Sequence, residues 1–127
     1  FVAFPPVDAK TERFAKLMGS DPHDLQKVTR LNDSVRKSVA SRSEISKQDW
    51  HDLVVAFNSK DENIQNEATS TMMLLGNSSY RDEILTMVRP RLDAKNVFVQ
   101  LNALTLLRRF NDPSWRIEAE KRSVSPD

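Results

Sequence analysis

The chain has no cysteine, only two glycines and no long apolar run, and each of these absences excludes a class of site. Without cysteine there is no disulfide, no thiolate nucleophile and no thiolate ligand for a metal ion. Two glycines are too few for the glycine-rich loops that cradle phosphate groups. No apolar run approaches the roughly 18 residues of a membrane-spanning helix. The sequence therefore argues against thiol chemistry, phosphate-binding loops and a membrane span.

Charge of one sign is not in excess either, because 19 Lys and Arg residues stand against 18 Asp and Glu residues. The net charge of +1 gives no general argument for binding nucleic acid or an anionic membrane. The two signs are nevertheless unevenly spread. Residues 46–85 carry three basic and seven acidic side chains, whereas residues 86–127 carry eight basic and five acidic ones. The last third of the chain is therefore the part that would attract an acidic partner.

What the chain does contain is typical of one soluble globular domain. Its 127 residues are 39% apolar and 29% charged, which suits a protein with a sizeable core. The chain opens with Phe1 rather than Met, so we expect a processed product or a trimmed chain. The absence of cysteine slightly favours the cytoplasm. The sequence leaves the compartment and the oligomeric state open.

One passage of the sequence occurs twice. Residues 50–77 and 85–112 align without a gap at an offset of 35 residues, with Ala103 over Ala68. Each copy reads as helix, short turn, helix, and a period of this length is typical of stacked helical solenoids. Chemically similar residues coincide, namely Leu53 with Val88, Phe57 with Leu92, Asn58 with Asp93, Lys60 with Lys95, Ile64 with Val99, Gln65 with Gln100, Met72 with Leu107, Leu75 with Phe110 and Asn77 with Asp112.

The N-terminal segment predicts an extended arm followed by a short helix. Two prolines within residues 1–7 favour an extended arm. The helix follows the cap residue Asp8 and stops at Gly19. The apolar residues of this segment are Phe1, Val2 and Phe4, which the arm would lay on the body, and Phe14, Leu17 and Met18, which share one face of the helix.

A second start signal follows at Asp21 and Pro22, an acidic cap with proline at the first helical position. Behind it, an apolar stripe of helical spacing runs from Leu25 to Val39. Residues 32–34 (Asn, Asp and Ser) interrupt the segment, and these residue types favour caps and turns. We interpret the segment as a helix pair, with a single helix of about 20 residues as the alternative.

Further cap patterns stand at Ser46 with Asp49 and at Ser79 with Asp82. Pro90 lies late in its helix and should kink it. No segment reads as a strand, so the chain is predicted to be all-α, with five to seven helices. The later apolar stripes are Trp50, Leu53, Val54 and Phe57; Ile64, Ala68, Met72 and Leu75; Ile84, Leu85, Val88 and Leu92; and Val99, Ala103, Leu106, Leu107 and Phe110.

Residues 92–107 resemble a HEAT repeat, whose pattern is an apolar first helix, an acidic turn residue, and then valine, arginine and a small residue on a second helix. Asp93 is the turn acid here, Val99 the valine and Ala103 the small residue, while Gln100 stands at the arginine position. Residues 57–75 give a second copy and residues 30–39 a weaker third with a shorter turn. The resemblance implies a right-handed α-α superhelix in a single domain. Residues 1–21 would then form an arm and a capping helix, and residues 22–112 the HEAT-like repeats. Residues 113–127 would form a second capping helix, which starts at Asp112-Pro113 and runs to about Lys121, and a tail.

The stretch from Asn96 to Phe110 also resembles part of a VHS or ENTH-type domain, in which an apolar helix with the order Ala-Leu-Thr-Leu-Leu recurs. Such domains are helical superhelices of membrane traffic that bind sorting peptides or ubiquitin. This second resemblance implies further helices beyond Asp127.

Residues that carry catalytic chemistry are scarce. Neither His23 nor His51 has a carboxylate or a second histidine three or four residues away that would complete a metal-ligand set. The acid pairs at 61–62 and 82–83 occupy turns or first helical turns, where the helix dipole stabilises negative charge. We therefore expect no catalysis, no metal site and no cofactor.

One polar cluster remains, made up of Arg89, Arg91, Arg108, Arg109 and Arg116, of which the first four are the candidate contact residues. Cations at a helix end offset its dipole, or they bind an acidic partner. The leading hypothesis is a non-catalytic protein–protein interaction module, a small scaffold or a subunit of a larger assembly. The alternatives are a nucleic-acid-binding HEAT-like protein and a VHS- or ENTH-like adaptor. Nucleic acid is disfavoured because the net charge is near zero, and single-strand binding in addition because Trp115 is the only nearby aromatic for base stacking.

Overall fold

A computed structural model describes residues 6–114, 116, 117 and 120, and all of the regular structure in them is helical. The all-α class and a helix count within the expected range are thereby confirmed for this part of the chain. The chain divides into two compact units, residues 1–71 and residues 72–127. The helices are α1 (Ala9–Met18), α2 (Pro22–Ala40), α3 (Lys47–Phe57), α4 (Glu62–Met72), α5 (Arg81–Val88) and α6 (Val97–Arg109), with 3-10 segments at Met73–Leu75 and Arg89–Asp93.

Three of the predicted helix starts in the first unit are confirmed. The Asp8 side chain accepts a hydrogen bond from the Thr11 amide at 2.8 Å, and the Asp21 side chain accepts from two amides at the start of α2. The Ser46 hydroxyl accepts from the Asp49 amide at 3.0 Å. Gly19 adopts a left-handed φ of 72° and ends α1, as glycine does without steric cost. The interpretations placed on Phe1, Val2, Phe4, Trp115 and Lys121 lie outside the described residues.

The helix pair predicted between residues 22 and 40 is wrong, because α2 is one continuous helix. The polar residues in its middle are bonded to other helices instead of turning the chain. The Asn32 amide donates to the Thr71 hydroxyl at 2.8 Å, and the Ser34 hydroxyl donates to the Asp49 carboxylate at 2.9 Å. Side chains used in this way do not compete for their own backbone. The third HEAT-like copy, which needed a turn at Asn32, is therefore wrong as well.

The apolar face of α1 is not its packed face. α1 packs against α2, and the side chain that α1 buries is the small Ala15, which is 1% exposed. Phe14, Leu17 and Met18 are 51%, 86% and 39% exposed. α1 therefore presents large apolar side chains to solvent.

The core of the first unit comes from α2, α3 and α4, and α2 packs against α3 as well as α1. Buried polar side chains attach the ends of other segments to this core. The Gln26 side chain accepts from the Asp8 amide at 2.9 Å and donates to the Pro6 carbonyl at 3.2 Å, which holds the described end of the arm on α2. The buried apolar residues of this unit are Ala15, Leu25, Val28, Leu31, Val35, Ile45, Leu53, Phe57, Ile64 and Ala68.

In the second unit, two predicted details of α5 are corrected. The residue before α5 is Tyr80 and its side chain makes no cap, so the predicted Ser79 cap is wrong. The Ser78 hydroxyl instead accepts from the Tyr80 amide at 3.1 Å and donates to the Leu75 carbonyl at 2.7 Å. Pro90 does not kink a continuous α-helix. α5 ends at Val88 and the chain continues as the 3-10 segment, because proline has no amide hydrogen with which to extend the α-helical ladder.

Helix α6 packs against α5 and against the 3-10 segment Arg89–Asp93, and both of its ends are well defined. The Asn96 side chain accepts from the Phe98 amide at 2.8 Å and from the Val99 amide at 3.2 Å. At the other end, Asn111 has a left-handed φ of 57°, and the Asp112 amide donates to the Leu107 carbonyl at 2.9 Å. This is the Schellman arrangement, which satisfies the last carbonyls of a helix.

The 35-residue offset holds for hydrogen bonds as well as for apolar positions. The Gln65 side-chain amide donates to the Ser59 carbonyl at 3.2 Å, and the Gln100 side-chain amide donates to the Ala94 carbonyl. Each glutamine thus closes the turn before its own helix. Ala68 and Ala103, at the aligned positions in the two copies, have no accessible surface. The two copies therefore share one local design in which a glutamine stabilises the turn and a buried alanine follows it.

Candidate functional site

The four candidate arginines lie in the second unit and have different surroundings. Arg89 and Arg91 lie on the 3-10 segment, and Arg108 and Arg109 lie in the last turn of α6. Arg91 is half-buried, and desolvation lowers the pKa of its guanidinium from its ordinary value. Arg108 and Arg109 are exposed. Three of the four, Arg89, Arg108 and Arg109, are therefore exposed.

Arg89 forms an ion pair with Asp112, whose side chain is only 5% exposed against 47% for Arg89. Burial would raise the pKa of the Asp112 carboxyl, but hydrogen bonds from Arg89 and Ser114 outweigh it and hold the pKa at about 2. The same pairing raises the pKa of the Arg89 guanidinium. Asp112 also accepts from the Ser114 amide at 2.9 Å, so it starts the helical turn at Pro113 as predicted. Much of the Arg89 charge is thus compensated within the unit.

We expect Asp112→Asn to flatten the acid dependence of stability. The folded-state pKa of Asp112 is about 2 against an ordinary 3.8, so its ionised form contributes stability at higher pH that is lost as the pH falls from about 4 to about 2. Asparagine keeps an oxygen for the Ser114 amide but has no charge to lose. Urea melts at intervals between about pH 5 and pH 2 should show the wild-type free energy of unfolding falling more steeply than that of the variant. Parallel curves for the two proteins would contradict the assignment, and Arg89→Met should also reduce the slope.

Arg81 has a structural role that the sequence did not reveal. Its guanidinium donates to the Gly76 carbonyl at 3.2 Å and to the Phe110 carbonyl, and it lies 5.5 Å from the centroid of the Phe110 ring. A cation at this place satisfies the Phe110 carbonyl at the end of α6 and offsets the negative pole of that helix. The Phe110 carbonyl is 29 residues from Arg81, so no local pattern marks the contact.

The solvent face of α6 is the most distinctive surface of the second unit. Val97, Phe98 and Leu101 are 61%, 41% and 52% exposed, and they are followed on the exposed side of the helix by Arg108 and Arg109. We call these five residues the α6 face. The sequence carries a signal for it, because α6 is apolar on nearly all sides, more than one buried face requires. The buried stripe and the arginines were predicted from the sequence, but the exposed apolar residues were not.

A second exposed apolar surface lies on α1 in the first unit. Phe14, Leu17 and Met18 follow one another at i, i+3 and i+4 and therefore lie on one side of the helix. Three exposed basic residues stand on the same short helix, Lys10, Arg13 and Lys16. Each unit thus exposes apolar side chains on a helix that also carries exposed cations.

A groove of about 520 Å³ also lies in the first unit, between α2 and α3. Two pairs of its polar side chains bond across the groove. Lys27 and Asp52 form an ion pair at 3.5 Å, and Ser34 donates to Asp49. His23 lines this groove, whereas His51 is exposed on α3. Mutual pairing of this kind stabilises the two helices and gives no separate indication of a ligand.

The two acid pairs noted in the sequence lie at the starts of helices α4 and α5. The Asp61 side chain accepts from the Asn63 amide at 2.9 Å and so caps α4, and Asp82 and Glu83 lie in the first turn of α5.

Among the described residues, no three His, Asp or Glu side chains lie close enough together to hold a metal ion. Within the same ranges, no helix has the length and apolarity needed to cross a membrane. Comparison of the chain with family models, with curated proteins and with solved structures finds no match.

Proposed function

We propose that this protein is a non-catalytic protein–protein interaction module, acting as a small scaffold or as a subunit of a larger assembly. The observation that carries the proposal is the α6 face, three exposed apolar side chains followed by two exposed arginines. The repeated helix–turn–helix units support a HEAT-like, right-handed superhelical arrangement as part of the same proposal, because such arrangements present successive helices as binding surfaces.

The physical reason is the cost of leaving these side chains in water. Burial of apolar surface contributes about 25 cal/mol per Å², so Val97, Phe98 and Leu101 together represent a gain that only a partner can supply. The largest contiguous apolar patch on the surface of a monomeric protein is often a binding site. Arginine is the charged residue that binding surfaces favour, whereas lysine is depleted in them. The composition of the α6 face therefore fits a protein partner.

Affinity purification of the tagged chain from its source, followed by cross-linking and mass determination, tests this proposal. We expect a protein partner at fixed stoichiometry, cross-linked to Lys95 beside α6 or to Lys10 and Lys16 on α1. Recovery of the chain as a solitary monomer in every preparation would contradict it. A double variant, Leu17→Glu with Leu101→Glu, removes apolar contact in both units and serves as the negative control for the purification.

Nucleic acid remains the second candidate, and Arg108 and Arg109 are the residues that favour it. Phosphate contacts need a concentrated basic surface and weaken steeply with salt. The ion pair between Arg89 and Asp112 removes one of the four arginines from that surface. We therefore rank this function below protein binding. A gel-shift titration with a generic duplex at about 50 mM salt separates the two, since no shift under these conditions excludes the nucleic-acid function.

A further inference from the structure

We infer that the α6 face docks an antiparallel amphipathic helix whose first turn is acidic and whose following turns are apolar. This inference rests on the proposed function and specifies the surface and the chemistry of the partner. In this arrangement Val97, Phe98 and Leu101 contact the apolar turns of the partner helix, and the two arginines contact its acidic first turn.

The apolar half of the face is continuous. Val97 and Leu101 are one helical turn apart and Phe98 adjoins both, so the three side chains form a single patch on the first turns of α6. Thr105, the next exposed residue on this side, donates its hydroxyl to the Leu101 carbonyl at 2.8 Å. Its hydroxyl hydrogen is therefore already bonded within α6 and needs no acceptor from a partner.

The basic half determines which helix fits. Arg108 and Arg109 occupy the last turn of α6, where the helix carries its partial negative charge. An antiparallel partner places its positive N-terminal end beside this turn. Asp and Glu are favoured in the first turn of any helix by that helix's own dipole. Carboxylates at the start of the partner are thus stabilised twice, by their own helix and by the two arginines, whereas a parallel partner would bring two negative helix ends together.

The backbone of α6 excludes docking by strand addition. All of its central amides and carbonyls are bonded within the helix, so an extended peptide finds no unpaired edge to extend. Packing of side chains is the mode that remains, and it suits a helix. The face runs from Val97 to Arg109, about 18 Å at 1.5 Å per residue, which matches a little over three turns of a partner.

A fluorescently labelled synthetic peptide tests the inference directly. The probe has about 18 residues, Glu at two positions of its first turn, leucine at helical spacing behind them, and Ala and Gln elsewhere for helicity. The matched probe carries Lys in place of the two Glu. Anisotropy titrations of wild-type chain should show binding of the Glu probe, weakened by raising salt from about 50 to 500 mM, and binding of the Lys probe at least about tenfold weaker.

Three variants locate the contact. Leu101→Glu should weaken the Glu probe at least about tenfold, and the double charge reversal Arg108→Glu with Arg109→Glu should reverse the preference so that the Lys probe binds more tightly. Val55→Glu is the matched control, because Val55 is similarly exposed at 56% but lies on α3 in the other unit. Its affinity for the Glu probe should stay within about twofold of wild type. Circular dichroism checks that each variant is folded. If Leu101→Glu does not fold, the double variant of the exposed arginines still tests the contact.

Several results would overturn the inference. The wild-type chain failing to bind the Glu probe at about millimolar concentration, equal binding of both probes, or an unchanged preference after charge reversal each does so. A duplex oligonucleotide that competes through the same two arginines would reassign the face to nucleic acid. If the peptide fails while purification still yields a stoichiometric partner, the proposed function stands and the α6 face is not its site. If the peptide does not bind and purification yields no partner either, the proposed function is contradicted too.

Discussion

Replacement of Phe110 by alanine should lower the free energy of unfolding by about 3–5 kcal/mol. Phe110 is 1% exposed and ends α6, where its ring lies beneath the Arg81 guanidinium. A Cβ on Gly76 would come within 3.3 Å of two atoms of this ring, so the backbone at Gly76 already lies against it. Truncation therefore removes apolar burial, leaves a cavity and takes away the surface on which Arg81 rests. Urea melts followed by circular dichroism measure the change.

Gly76 offers a check that is specific to this packing. In the wild-type chain Gly76→Ala presses a methyl group toward the Phe110 ring, which must give way by a few tenths of an ångström. In the Phe110→Ala background the same methyl enters empty space. The double variant should therefore be more stable than the sum of the two single changes allows. Additive changes would mean that the ring does not pack on Gly76, and a loss below about 1 kcal/mol for Phe110→Ala would mean that it is not core.

Enlargement of the two aligned alanines gives the second prediction. Ala68 and Ala103 have no accessible surface, and each lies at the same place in its copy of the repeat. A leucine at either position must displace neighbouring side chains or backbone in a close-packed interior, at a cost of about 1–3 kcal/mol. We expect Ala68→Leu and Ala103→Leu to lower the free energy of unfolding by similar amounts, measured in urea under the same conditions as Phe110→Ala.

The control for this pair is Arg108→Ala. Arg108 is exposed, and an exposed substitution of this kind changes stability by no more than about 0.5 kcal/mol. A harmless Ala103→Leu beside a damaging Arg108→Ala would show that the buried and exposed sides of α6 have been exchanged. A large cost at Ala103 with none at Ala68 would show that the two copies, although aligned in sequence, are not packed equivalently.

Signals contained within a few residues predicted the structure well. The caps at Asp8, Asp21 and Ser46 each bond to amides two or three residues ahead, so the sequence alone defines them. The middle of α2 failed for the opposite reason. Asn32 and Ser34 have turn-forming side chains, but their partners lie 39 and 15 residues away, and only the folded chain brings those partners near. Tertiary hydrogen bonds therefore overrode local preference.

The candidate site shows the same difference between local signals, which the sequence contains, and contacts between distant residues, which it does not. Arg108 and Arg109 were expected at a helix end and are found there, exposed. That Arg89 is paired could not be predicted, because its partner Asp112 is 23 residues away. The repeat alignment identified the buried side of α6 through Ala103, but α6 is apolar on its other side as well, and periodicity alone does not say that a second apolar side stays in water. The same ambiguity applies to α1, where the small Ala15 is buried and the larger Phe14 is exposed.

The glutamine that closes each turn has a consequence for how the chain folds. Gln65 and Gln100 each bond to a carbonyl six residues earlier, so a helical hairpin can fasten its turn with very little loop entropy to overcome. Such local contacts form quickly, whereas the pairing of Arg89 with Asp112 has to wait until more of the chain is in place. Each copy therefore carries its own early nucleation point, and we expect the two hairpins to begin forming independently before the longer-range contacts complete them.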